Sequence, residues 1–402
     1  MNKKNILLLT TIYPAPDLTG PTKTIHYFTR EWVNIGYNVK VIHFQAVYPG
    51  FFYVLAKLIK GKIASITGSI VYTKKDKKAK HYSMEGVSIA RLPVFKWIPH
   101  GKFTPKSISL NINTILTLLK TENYNPDFII GHFSNPQLQV IYELKKHYNS
   151  NTCLIMHDNG NTIKKIYPKS YKLYFECIDS WGFRSNAIKK GFESNYGIQK
   201  NSFMCYSGIP DIFLLNTKIK KLNPPIKTFV YVGEMIKRKF PAALIKALSI
   251  AYKNKNFELI YIGEGGEKDN LLKLSKRLGL ENQVDFAGRL PREKIIEILD
   301  NSDCMIMISK GEAFGLAYLE AMARGCLTIG SFNEGIDGII IDKKNGFLCH
   351  AGDHIELANL ITNINSMSIE ELYTISERAK KTAENLTDKL TAESYINSID
   401  VK

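Results

Sequence analysis

The stretch that decides the fold is DCMIMISKGEAFGLAYLEAMARG, residues 303–325. It opens with an apolar run, DCMIMIS, too short for a helix of its own and suited to a buried strand. It continues as GLAYLEAMARG, where Leu316, Leu319, Met322 and Ala323 recur at helical spacing and predict an amphipathic helix packed inward on those four. KGEAF is the turn between them. Gly315 and Leu316 then offer free N–H groups at the positive end of a helix dipole, a natural seat for a diphosphate. Two glutamates flank that seat. On one helix Glu312 and Glu320 would stand about 12 Å apart along the axis, too far to act on one scissile bond as acid and base. Because Glu312 precedes the helix and Glu320 lies inside it, they suit opposite ends of an elongated ligand, a sugar's hydroxyls at one and a ribose at the other. The alternative is a helix carrying an ordinary surface glutamate.

Upstream, the same strand-to-loop pattern recurs. TFVYVG, ending at Gly233, runs into EMIKRK, and FELIYIG runs into EGGEK. Lys237, Arg238 and Lys239 supply cations at a strand end, while Gly265 and Gly266 allow backbone to approach a ligand closely. Each feature alone is weak, since a basic triplet is commonly solvated surface and a GEGG commonly a turn. Together they fall on one edge of one sheet, where ligands of wound sheets bind.

Further out, β-branched apolar runs alternate with helical patterns twice over. The first series includes NILLLT, PTKTIHYFTREWVNIG, NVKVIHF, PDFIIGH, PQLQVIYELKKHY and TCLIMH; the second begins after YSGIPDIF and the proline-bearing KKLNPPIK. The alternation predicts an α/β protein of two doubly wound, Rossmann-like domains facing a central cleft. Residues 1–205 are expected to form the first domain and 206–385 the second. A chain of 402 residues at 45% hydrophobic and 23% charged can fill two such cores.

Composition removes several classes. No run of about 18 apolar residues is present to span a membrane, and MNKKNILLLT reads as a first strand rather than a signal peptide. The six cysteines sit singly, as buried reduced thiols do, without metal-binding spacing. There is no D-x-D triplet to carry a divalent ion, so no metal and no other cofactor is expected. With 54 Lys and Arg against 37 Asp and Glu, the net charge of +17 favours anionic partners. Nucleic acid is not among those expected, because basic and aromatic residues are not interleaved in a recognisable binding module.

Glu312, seven residues and Glu320, within EAFGLAYLEAMARG, resemble the E-x7-E motif of retaining glycosyltransferases of family 4, which have the GT-B fold. The resemblance runs through FVYVGEMIKRKFPAALIKAL, ELIYIGEGG, VDFAGRLPREKI and GIDGIIIDKKNGFL in order. It implies that Glu312 binds the hydroxyls of a donor sugar beside the backbone of Ala313, Phe314 and Gly315, and that Glu320 binds the ribose. It implies Lys239 on the donor diphosphate, with Lys237 or Arg238 standing in for the arginine that the family commonly has where this chain has Glu234. Arg289 and Leu290 fall where the nucleobase is held. In the first domain TIYPAPDLTGPTKT resembles the family's glycine loop, with Gly20 followed by Pro21 in place of a second glycine. His157 matches the histidine that approaches the sugar across the cleft, and His132 is a weaker candidate. Arg184 and Ser185 fall on the short strand before the interdomain linker, and the resemblance implies that a final helix, at about 386–402, returns to the first domain.

The resemblance implies a retaining, metal-independent hexosyltransferase. It would take a nucleotide sugar, UDP-linked, and act on a glycan or polyprenyl-linked acceptor in bacterial surface polysaccharide assembly, as for capsule or lipopolysaccharide. An epimerase or phosphorylase of the same fold, and a non-enzymatic nucleic-acid binder, are the alternatives. Residues 51–82 add a location. Phe51, Phe52 and Tyr53, then Lys57, Lys60 and Lys62, and a cluster of Lys74, Lys75, Lys77, Lys78 and Lys80 suit an anionic membrane surface, against the alternative of a solvated insertion. The expectation is a cytoplasmic protein held peripherally on the inner face of the cytoplasmic membrane.

Overall fold

The computed structural model describes residues 3–17, 23–54, 56, 76, 78–99, 101–217, 220–253 and 257–400. Gly20 and most of the lysines of the 51–82 stretch lie outside the described residues.

The first sheet joins β1 (Asn5–Thr10), β2 (Asn38–Val47), β3 (Lys80–Met84), β4 (Val87–Phe95), β5 (Phe128–His132), β6 (Asn151–Met156), β7 (Ser180–Phe183) and β8 (Ser202–Met204). Their order is β3-β4-β2-β1-β5-β6-β7-β8, parallel except for β3 on the edge. Runs such as NILLLT are apolar at successive positions because both faces are covered. Leu7 and Leu9 enter one core with Ile42 and Phe44, while Ile6 and Leu8 enter the other with Val39 and Val41.

The second sheet joins β9 (Thr228–Val232), β10 (Glu258–Ile262), β11 (Val284–Gly288), β12 (Cys304–Ile306), β13 (Leu327–Ser331) and β14 (Phe347–Cys349) in the order β11-β10-β9-β12-β13-β14. Every neighbouring pair is parallel. The chain winds outward from β9 through β10 to β11, then returns to place β12 on the other side of β9. The loops after β9 and β12 therefore open a crevice at the point where the winding reverses.

Two details depart from expectation. The strand in DCMIMIS covers only Cys304–Ile306. The helix Leu316–Ala323 buries Tyr318, Leu319, Ala321, Met322 and Ala323, whereas Leu316 is only partly buried. Tyr318 turns inward because its hydroxyl donates to the Met307 carbonyl just past β12. The helix is also covered on its far side by the helix Ile369–Glu384, where Ser376 donates to the Gly325 carbonyl at 2.7 Å.

The two chain segments that pass between the sheets run side by side. Ile209 N donates to Leu386 O at 2.9 Å, and Asp388 N donates to Ile209 O at 3.0 Å. The last helix, Asp388–Ile399, then lies on the helix Thr24–Asn34 of the first domain. Trp32 Nε1 donates to Ala392 O at 2.9 Å, and Tyr395 meets Phe28 and Trp32 edge-on at 5.3 and 5.0 Å. All six cysteines are free, five of them buried. Among the described residues, no helix is long and apolar enough to cross a membrane.

Candidate active site

The crevice between β9 and β12 collects the charged residues. After β9 the chain makes a single tight turn, Lys237–Lys239, that lies against the loop after β12, with Lys310 N donating to Arg238 O at 2.8 Å. This brings Lys239 Nζ to 3.2 Å and Arg238 Nη1 to 3.7 Å from Glu312 Oε2. That oxygen is buried but has no aligned hydrogen-bond donor among the described residues. It is thus a carboxylate held by charge alone, free to take a hydroxyl. Gly233 floors the crevice, since a Cβ there would stand 3.3 Å from Lys239 Nζ.

Lys237 is not brought to Glu312. It is exposed and borders a separate hollow of 270 Å³ with Phe240, Lys246 and His354. Gly265 also serves differently from the expectation. A Cβ at Gly265 would lie 2.2 Å from the Met235 carbonyl oxygen, so the close approach it permits is to the protein's own backbone.

Gly315 begins the helix with φ +91°, a conformation that suits glycine, and no side chain caps it. The N–H groups of Leu316 and Ala317 that follow have no intrahelical acceptor, whereas Tyr318 N already donates to Gly315 O at 3.2 Å. Glu334 fixes the loop in front of them, its Oε2 accepting from Gly311 N at 2.7 Å and Glu312 N at 3.1 Å. Burial pushes the Glu334 carboxyl up, and those two N–H bonds oppose the shift. Phe314 is buried against Tyr206, with the Arg184 guanidinium 5.3 Å from its ring, and Ala313 touches the first domain's core. Arg184 is itself buried and donates to Cys205 O at 2.6 Å and to Ser207.

Glu320 lies one helical turn into the site. It is only half-buried yet ringed by protein, and burial pushes its carboxyl up to about 7, with Arg292 opposing and Asp388 reinforcing the shift. Arg292 Nη2 donates to Tyr27 OH of the first domain at 2.6 Å. Asp388, pushed up to about 6 chiefly by burial, accepts from Arg30 at 3.2 Å. Glu320 therefore stands where the domains meet, not on open surface. Arg289 is exposed at the end of β11, and Leu290 packs on the second core.

Across the cleft His157 follows β6. Its Nε2 lies 3.0 Å from Nδ1 of His132, and Phe133 stacks on it at 4.0 Å. Burial holds both imidazoles well below their usual pKa, with Arg184 adding to the effect, so both are neutral. In the first domain Asp17 is gripped by Arg91 through two hydrogen bonds of 2.7 Å. Among the described residues no group of three or more His, Cys, Asp or Glu is arranged to hold a metal ion.

Glu334, Arg292 and Arg184 have no assigned role in the sequence reading. The only local signal for Glu334 is its place in NEGIDG, directly after β13.

Two Rossmann-like domains with a site at the second domain's winding reversal define the GT-B fold. Residues 215–382 match the family described as Glycosyl transferases group 1. The chain is 31% identical over 169 residues to the N-acetyl-alpha-D-glucosaminyl L-malate synthase of Bacillus anthracis, covering 41% of this chain and 43% of that protein. It is 31% identical over 146 residues to the lipopolysaccharide core biosynthesis glycosyltransferase LpsE of Rhizobium meliloti, covering 36% and 41%. The chain thus spans less than half the length of these two curated relatives. In fold it is similar to Anabaena HepE, solved in complex with UDP, with a TM-score of 0.69, 18% identity and 98% of each chain covered. Together these comparisons show the GT-B fold and liken the second domain to group 1 glycosyl transferases.

Proposed function

We propose that this protein is a retaining glycosyltransferase that moves a sugar from a nucleotide sugar, UDP-linked, to a glycan or polyprenyl-linked acceptor in bacterial surface polysaccharide synthesis. The observation that carries the reading is the ion pair of Glu312 with Lys239, at 3.2 Å, beside an uncapped helix amino end. A nucleoside diphosphate placed there meets Lys239, Arg238 and the first-turn N–H groups, which stabilise charge as it develops on the leaving oxygen. The diphosphate takes Lys239 as partner, and Glu312 accepts from a sugar hydroxyl. The bond from the anomeric carbon to the diphosphate oxygen breaks and the acceptor oxygen bonds to that carbon on the same face. The acceptor's proton passes to the departing phosphate oxygen. No protein nucleophile and no divalent metal enter this scheme. UDP is favoured as the nucleotide by the likeness to a fold solved with it, and the polysaccharide setting by the match to LpsE. Glu312→Ala should abolish transfer from UDP-sugars while the thermal midpoint stays unchanged. Undiminished turnover in that variant rejects the assignment.

The same reading places the first domain against the inner face of the cytoplasmic membrane. Support comes from a corner at the C-terminal ends of β2 and β4, the same sheet edge that bears His157. There Phe51, Val54, Trp97 and Ile98 are 63 to 71% exposed, with Lys96, Lys102 and Lys106 close in sequence. Aromatic and aliphatic side chains beside lysines suit an anionic headgroup layer. Mixed with anionic vesicles at low salt, the protein should sediment. Trp97→Ser with Ile98→Ser should halve the bound fraction, and replacing Lys74, Lys75, Lys77, Lys78 and Lys80 by glutamine should release it. Equal sedimentation of all three forms removes these side chains from the account, and a native chain that stays in solution with the vesicles removes the membrane from it.

A further inference from the structure

His157 is not an isolated histidine at a strand end. Its Nε2 faces His132 Nδ1 at 3.0 Å, and His132 Nε2 faces the hydroxyl of Tyr395 at 3.3 Å. His132 ends β5 and is fully buried, whereas Tyr395 comes from the last helix, 263 residues along the chain. The partners are held firmly. Phe28 stacks on His132 at 6.4 Å and meets Tyr395 edge-on, and Phe133 stacks on His157. The described residues provide no partner for His157 Nδ1, which is not among the buried unpaired atoms.

Two neutral imidazoles joined by one hydrogen bond need one donor and one acceptor. The direction is set from the far end. A phenol O–H is a more acidic donor than a neutral imidazole N–H, and an imidazole nitrogen is a better acceptor than a phenol oxygen. The Cys153 thiol also borders the Tyr395 hydroxyl but is a weak acceptor, so Tyr395 donates to His132 Nε2, which places the His132 proton on Nδ1. That proton is donated to His157 Nε2, and the proton of His157 must then sit on its own Nδ1.

We propose that Tyr395, acting through His132, fixes His157 as its Nδ1–H tautomer, so that the first domain presents a hydrogen-bond donor, and not a base, to an oxygen of the bound ligand. Tyr395 and His132 are positioning residues in this scheme. That the ligand is a sugar nucleotide rests on the function proposed above; the tautomer does not.

The test has two arms. In protein labelled with ¹⁵N-histidine, long-range ¹H–¹⁵N spectra should show His157 protonated at Nδ1 and His132 likewise, and Tyr395→Phe should convert His157 to a mixture of tautomers. His157 protonated at Nε2 in the native chain, or a spectrum unmoved by Tyr395→Phe, overturns the proposal whether or not the protein transfers sugar. The second arm is a double-mutant cycle on turnover of a UDP-sugar. Tyr395→Phe should lower kcat about fivefold, the worth of one neutral hydrogen bond, and should have no further effect in a His157→Ala background. Losses that multiply in the double variant overturn the relay. His132→Gln, whose amide can accept from Tyr395 and donate to His157, should retain more activity than His132→Leu; equal loss in the two counts against it.

Discussion

The two rims of the cleft are built by different means. On the second-domain rim Lys239, Arg238 and Glu312 lie on loops directly after two adjacent strands and hold one another by charge, at 3.2 and 3.7 Å. On the first-domain rim His157 is held by neutral hydrogen bonds and ring stacking to residues 25 positions away and, through His132, a further 263. An ion pair exchanges partners when an anion arrives. A stacked, neutral relay does not. The charged rim is therefore the one that a diphosphate would rearrange, and the neutral rim a fixed wall against which the other end of the ligand is set.

The sharpest way to break that contrast is to remove one member of each rim. Lys239→Ala should reduce transfer on the order of 10²- to 10³-fold, as expected when a donor to developing charge is lost, and His157→Ala by about fivefold. Steady-state kinetics with a UDP-sugar would decide, and equal losses would mean that the rims do not differ in kind.

A second test asks whether the motif around Glu320 is all ligand site. Arg324, in the same helix segment, is buried and donates to Asp300 at 2.6 and 2.8 Å, to Phe213 O at 3.1 Å and to Leu215 O at 2.7 Å. Arg324→Ala orphans Asp300 and those carbonyls, and should cost about 3 kcal/mol of stability. Denaturant unfolding should show a lower midpoint for this variant and none for Lys239→Ala.

The smallest effect concerns Glu320. Its carboxyl, pushed up to about 7 from an ordinary 4.5, keeps its proton in the folded chain where the unfolded chain has released it. The folded state therefore binds more protons between those values, and stability falls as the pH rises across that window. Glu320→Gln removes this dependence. The variant should match the native chain near pH 4.5 and exceed it near pH 8 by about 1 to 2 kcal/mol in thermal unfolding. If the ionised form also accepts from a ribose, UDP affinity of the native chain should rise through pH 7, while that of the variant stays flat.

Much of the second-domain rim was legible because its information is local. A strand end, a basic turn, a glycine at positive φ and a helix amino end all lie within 233–239 or 303–325, and backbone preferences alone bring such pieces to one sheet edge. The parts that failed to read locally depend on contacts between segments. Lys237, Arg238 and Lys239 are equivalent in sequence, yet only the last two reach Glu312, because the single-turn helix at 237–239 points the first toward Phe240 and His354. Gly265 reads as a ligand-contacting glycine until the turn at Met235 is seen to occupy the space in front of it.

By itself the sequence determined two wound α/β units and a strand–turn–helix with carboxylates at either end, because apolar periodicity and turn chemistry act over a few residues. Only the tertiary structure decided which face Tyr318 takes, that Glu334 clamps the loop of Glu312, that Glu320 sits beside Arg292 and Asp388 where the domains meet, and that Tyr395 stands behind His132. Those outcomes turn on desolvation and on hydrogen bonds between residues far apart in the chain, and such energies exist only once the segments are packed together.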